Sequence, residues 1–120
     1  MSTEPVREQL IRLALSLIER TIAQEIVWEE RTNFGQSQFF VNAGKHGVIV
    51  GQELPEDVNT FYMVISTHAG IQVASLSLTE NDRSYHVLRE LFETAMFSAR
   101  GGEEAIDEIM TFLDQRAVAS

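Results

Sequence analysis

Four short runs of β-branched and aromatic residues, joined by connections mostly too short to hold a crossover, constrain this chain more than any other feature. The runs are Phe39-Phe40-Val41, Val48-Ile49-Val50, Thr60 to Ser66 and Ile71 to Leu78. Gly44-Lys45-His46-Gly47 and His68-Ala69-Gly70 read as turns, and Leu54-Pro55-Glu56-Asp57 breaks the chain between the second and third runs. Parallel neighbours need a connection of about a dozen residues or more, so the expected unit is an antiparallel meander of four strands. In the third run Phe61, Met63 and Ile65 share one side, and Tyr62 and Val64 the other, less buried one. The fourth run changes phase: Ile71 and Val73 point to one face, whereas Ala74, Leu76 and Leu78 have the opposite parity. A bulge between Val73 and Ala74 would reset the alternation, the alternative being partial cover on both faces.

Outside these runs the apolar period becomes helical. Thr3 is placed to cap a first helix, with Glu4 and Pro5 in its first turn. Leu10, Leu13, Ala14 and Leu17 form one stripe, and Ile11, Leu15, Ile18 and Ile22 the next. At about 100° per residue they merge into an arc of roughly 200°, whereas a surface helix needs little over ~100°. Such a helix needs cover on two sides. The expected cover for the Leu13–Leu17 flank is the same helix of a second copy, the competing one being the C-terminal helices. Ile26-Val27-Trp28 fits either a last turn or the start of an extended segment, and Arg31 to Gln36 reads as a loop. Thr79-Glu80-Asn81-Asp82 resembles a capped helix start, with an acid three residues after the Thr. The helix that follows carries Leu88, Leu91, Phe92, Ala95 and Ala99 on one face and ends at Gly101-Gly102. A short last helix then turns Ile106, Ile109, Met110 and Leu113 inward. The expected fold is α+β in one domain spanning 1–120: an N-terminal helix, a four-stranded antiparallel meander and two C-terminal helices packed on the sheet.

Composition removes whole classes of chemistry. With no cysteine there is no disulfide, thiol nucleophile, iron–sulfur cluster or Cys-ligated zinc. Eighteen acidic against nine basic residues give a net charge of −9, which argues against a phosphate-binding face and a nucleic-acid partner. Met1 to Glu8 has no secretory pattern, and the longest apolar run, Phe61 to Ile65, falls far short of the ~20 residues that span a bilayer. No membrane partner and a cytoplasmic location are expected.

Candidate chemistry is sparse. His46 and His68 fall in turns that could meet at one end of the meander, but read as solvated. His86, Glu90 and Glu93 share a helix face that serves either as a metal site or, as expected here, for surface pairs. Glu29 and Glu30, after Trp28, read as the polar end of a surface helix, the alternative being one carboxylate of raised pKa near a cleft. Glu103, Glu104, Asp107 and Glu108 form an acidic helix face. It reads as a solvated surface whose first-turn acids suit the helix dipole, or as a docking patch for a basic partner or cation. Phe97 lies off the apolar stripe of its helix, either covered by the last helix folding back after Gly101-Gly102 or free to anchor a partner. No nucleophile elbow or phosphate loop is present.

Acidity, size and a leading helix resemble type III secretion chaperones, small acidic dimers. Those proteins set a helix between two groups of strands, whereas all four runs here precede the second helix, so no residue or activity is carried over. The expected function is protein binding by a homodimeric adaptor, chaperone or regulator rather than catalysis, with no cofactor or metal. The expected interface draws on Leu13, Leu17, Phe97, Glu104, Asp107 and Glu108. Two alternatives stand beside it. One is an acidic inhibitor of a basic toxin or nuclease, steered by charge. The other is a small-ligand protein or enzyme with a pocket between sheet and helix, using Trp28, Tyr62 or His68.

Overall fold

The computed structural model of the protein describes residues 4–33, 35–53 and 59–119. The chain runs α1 (Glu4–Ile22), β1 (Glu29–Asn33), β2 (Gln36–Ala43), β3 (His46–Glu53), β4 (Thr60–Thr67), β5 (Gln72–Thr79), α2 (Tyr85–Ala99) and α3 (Gly102–Ala119). The sheet is an antiparallel meander in sequence order, with five strands rather than four. The additional strand is β1, in the segment read as a loop. Glu29-Glu30-Arg31-Thr32-Asn33 has no apolar alternation, because an edge strand can be held by the main-chain ladder to β2 without contributing a core face. The expected break at residues 54–57 and the Thr3 cap lie outside the described residues.

Register sorts the sheet into two faces. Phe39, Val50, Met63 and Leu76 pair in one row across four strands and are all buried. The adjacent row, Phe40, Ile49, Val64 and Ser75, faces away from the helices, and its three apolar members are half-buried. Phe61 and Met63 are buried and Ile65 packs against the core, while Tyr62 and Val64 lie on the opposite face, as the alternation requires. On that outer face, aromatic rings lie over glycine: Phe40 covers Gly47, and Tyr62 covers Gly51 directly across the ladder. The phase change in β5 is a bulge. Ile65 pairs with Ala74 and Ser66 with Gln72, which leaves Val73 with no partner.

The helices cover one sheet face unequally. α2 packs on β1 through β5 and on α1, burying Val87, Leu88, Leu91 and Ala95. Between α2 and the sheet, Phe61 stacks against both Tyr85 and Phe92, with ring centroids 5.4 and 5.2 Å apart, and Phe39 meets Phe92 edge-on at 5.3 Å. The Thr79–Asp82 segment is a turn rather than a cap. Asp82 Oδ2 accepts from Thr79 N at 2.7 Å, and the helix begins only at Tyr85, behind Ser84.

α1 lies along α2 and the β5 side of the sheet, burying Leu10, Ala14, Leu17, Ile18 and Thr21. Its flank is not free for a second copy: Leu17 is only 7% exposed and Leu13 packs half-buried against the core. α2 supplies cover for part of the wide apolar arc, while Leu15 and Ile22 remain exposed. The helix stops at Ile22, just before Gln24 adopts φ 62°, and Ile26-Val27-Trp28 is an irregular connection into β1 rather than a last helical turn.

The last helix departs most from expectation. Rather than packing on the sheet, α3 has, among the elements of the described residues, backbone neighbours only in α2, and the described residues extend over 67 × 35 × 28 Å. Ile106, Ile109, Met110 and Leu113 are exposed, not inward, and so is Phe112. A helix face specifies that cover is wanted; it does not specify where the preceding turn will point the helix.

Candidate functional site

Three contacts fix the place from which α3 departs. Arg100, which closes α2, grips Glu30 of β1 through both nitrogens, Nε to Oε1 at 3.0 Å and Nη2 to Oε2 at 3.1 Å. Ser37 Oγ donates to Oε2 of the same carboxylate at 2.6 Å. The two donors, Arg100 foremost, hold the Glu30 carboxyl down to about 2, the opposite of the shift that an apolar neighbour alone would give. Trp28 itself is core, 2% exposed. Its indole Nε1 donates to Thr21 Oγ1 at 2.8 Å, that hydroxyl donates to the Leu17 carbonyl at 2.6 Å, and Trp28 N donates to Ser98 Oγ at 3.2 Å.

Immediately beyond this anchor, Gly101 takes φ 68°, a left-handed conformation that glycine adopts at little cost after a helix. Gly102 then lies flat against the Phe97 ring, where a Cβ would sit 2.3 Å from Cε2. These two glycines set the direction of α3. Glu103 and Glu104 occupy its first turn, favourably placed at the positive end of the helix dipole, and Glu103 accepts from Gln24 Nε2.

At the root of α3 an open groove of about 660 Å³ runs between the C-terminal ends of α1 and α2. Its apolar wall comprises Ile22, Ile26, Val27 and Phe97, and its rim carries Glu93, Glu103 and Glu104. Ile22 is 62% and Val27 72% exposed, values unusual for side chains of this kind gathered in one hollow. α3 continues from the groove's lip with a second uncovered surface. At 100° per residue its apolar side chains fill an arc of roughly 160°, with Glu104, Asp107 and Glu108 on the opposite side. Arg116 reaches over the Phe112 ring at 5.5 Å.

The sequence-expected interface residues are therefore divided. Phe97 and Glu104 meet in the groove, and Asp107 and Glu108 lie exposed along α3. Leu13 and Leu17 belong to the packing of α1. Phe97 is 42% exposed, because the last helix leaves rather than folding back over it. Sequence reasoning missed Ile22, Val27 and Phe112; the first two stand at and just past a helix end whose position was ambiguous.

Elsewhere the candidate chemistry is dispersed. His46 and His68 lie at one end of the meander, in adjacent hairpin turns where His68 N donates to the Lys45 carbonyl at 3.1 Å, and both are exposed. Glu93 pairs with Arg89 one helical turn away at 3.2 Å. Among the described residues no group of three or more His, Asp or Glu is gathered closely enough to hold a metal ion, and no helix is long and apolar enough to cross a membrane. Trp28 lies in the core, Tyr62 on the opposite face of the sheet and His68 in a turn. A smaller hollow of about 490 Å³ on the outer sheet face is lined by Phe40, Ile49, Val64 and His68 among others. Arg31 covers the Phe40 ring there at 3.7 Å. Compared with protein-family models, curated proteins and solved structures, the chain matches none.

Proposed function

We propose that this chain is a non-enzymatic protein-binding module of the cytoplasm, an adaptor, chaperone or regulator, which engages protein through the apolar face of α3 and the groove at its root. One observation carries the reading: Ile106, Ile109, Met110, Phe112 and Leu113 lie together in water on a helix that, among the described residues, neighbours no element but α2. Full burial of such a side chain stabilises by ~1.5–3 kcal/mol, so a half-exposed row of five leaves several kcal/mol unused. Contiguous apolar patches beyond a few hundred Å² are uncommon on monomers and mark interaction surfaces.

The test is site-specific photo-crosslinking in the native cell, with benzoylphenylalanine at Ile109 and, as a control, at the exposed polar Gln9 of α1. Protein adducts are expected from position 109 and not from position 9. Equal labelling at both positions, or none at either, removes the reading. A second reading, an acidic inhibitor of a basic toxin or nuclease, draws on the carboxylates Glu93, Glu103 and Glu104 around the groove. It requires capture of a basic partner that weakens steeply as salt rises.

A further inference from the structure

We infer that the surface just described is filled by a second copy of this chain: each α3 crosses to its mate and lays Ile106, Ile109 and Leu113 into the groove lined by Ile22, Val27 and Phe97. The inference rests on the protein-binding reading and names its partner.

Two unpartnered apolar surfaces occur in one chain, one concave and one convex, and they adjoin. Each of the six side chains in that contact leaves on the order of 100 Å² in water, or ~600 Å² per chain, and two copies together reach the ~1,200 Å² at which specific interfaces begin. A helix that leaves the body at the groove's lip lies across the same lip of a twofold mate when the two helices run antiparallel. The exchange is then reciprocal and closes at two copies. The lip is also built to direct the helix outward. Arg100 and Trp28 anchor the end of α2, and the left-handed Gly101 turns the chain before α3 begins. The sequence asks for Ile106, Ile109, Met110 and Leu113 to be inward. In the exchanged pair they are inward, but in the neighbouring copy, which is the relation of a swapped element to its own unmet face. Charge gives the contact a signature. Each copy carries a net charge of −9, so salt screens the repulsion between copies and strengthens this association, whereas it weakens the docking of a basic partner.

The natural chain has no cysteine, so introduced thiols report without background. Val27→Cys is mixed with Ile106→Cys, Ile109→Cys or Leu113→Cys, all at exposed positions, and oxidised. The expected product is a disulfide-linked pair at twice the 13.5 kDa chain mass from at least one mixture. Light scattering on the unmodified chain should give the same doubled mass, tighter at 500 mM than at 50 mM salt. Ile109→Glu with Met110→Glu should weaken association by ~100-fold or more while the circular dichroism of the fold persists. A doubled mass with no inter-copy disulfide in any mixture overturns the exchange. So does a double cysteine variant that closes within one chain, which would mean that α3 folds back on its own groove. A chain that stays monomeric when concentrated also overturns it. In that last case, photo-adducts from position 109 to a different protein would leave the binding reading standing, and the absence of adducts would end both.

Discussion

The first and last helices are nearly equal in length, 19 and 18 residues, and both carry an apolar face. α1 lies between α2 and the sheet's β5 side, with Leu10, Ala14, Leu17 and Ile18 buried. α3 meets only the end of α2 and leaves Ile109 58% exposed. The difference originates in the connections. α1 is tied back by Trp28, whose indole bonds to Thr21 on the helix and whose main chain bonds to Ser98 on α2. α3 begins at the second of two glycines, and Glu103 in its first turn accepts from Gln24, just past the end of α1. Amphipathicity fixes which face seeks cover, and the connection fixes which cover is within reach.

Truncating equivalent apolar side chains gives the largest test of this contrast. Leu17→Ala, at a buried site of α1, should cost ~2–5 kcal/mol in a urea melt. Ile109→Ala, measured at a protein concentration low enough to separate any dimer, should stay within ~0.5 kcal/mol. Comparable losses at the two sites would mean that α3 is packed within the monomer.

The tie that holds α1 down should be worth less but still be measurable. Trp28→Phe keeps an aromatic ring and removes the donor to Thr21, so a loss of ~1–2 kcal/mol is expected in the same melts. An unchanged midpoint would show that the indole hydrogen bond is not part of what fastens α1. Next comes the hinge. Gly101→Ala places a Cβ at φ 68° and should cost ~1 kcal/mol, with hydrodynamic size reporting any change in the direction of α3.

The smallest effect is electrostatic and belongs to the anchor from which α3 departs. Glu30 sits at about 2 in the folded chain, below its ordinary 4.5, so its ionised form is preferred on folding. The stability this contributes is complete above ~4.5 and drains away as pH falls from there towards 2. Plotting the urea midpoint over that interval for the natural chain and for Glu30→Gln isolates this carboxyl, because the other acids are common to both. The natural curve should fall more steeply on acidification; parallel curves would remove Glu30–Arg100 from the forces that hold the end of α2. Arg100 is half exposed, which keeps the effect modest.

The parts legible in sequence were those that write their burial into residue order. β4 displayed its inner row as Phe61, Met63 and Ile65, and the phase change around Val73 marked a real bulge. β1 was illegible because its stabilisation comes from backbone bonds to β2, which any side chain can accompany. The site was half legible. Phe97 stood out by being misplaced on its helical wheel, and the acidic side of α3 by its grouping opposite the apolar face. The exposure of Ile106 to Leu113 could not be read, because nothing in a helix's own period records the two dihedral angles at the glycine before it. The lowered pKa of Glu30 could not be read, because the residue that sets it, Arg100, is distant in the chain.

The bulge at Val73 has a bearing on bulk behaviour. A sheet edge with an even ladder of free N–H and C=O groups invites a further strand, and repetition of that event makes a fibre. Here β5 ends the sheet on one side with its hydrogen-bond spacing interrupted at Val73, and β1 ends it on the other with Glu29, Glu30 and Arg31 along the margin. Both margins are poor templates for strand addition. A chain that exposes so much aliphatic surface on one helix can therefore be crowded in solution without its sheets growing edge to edge.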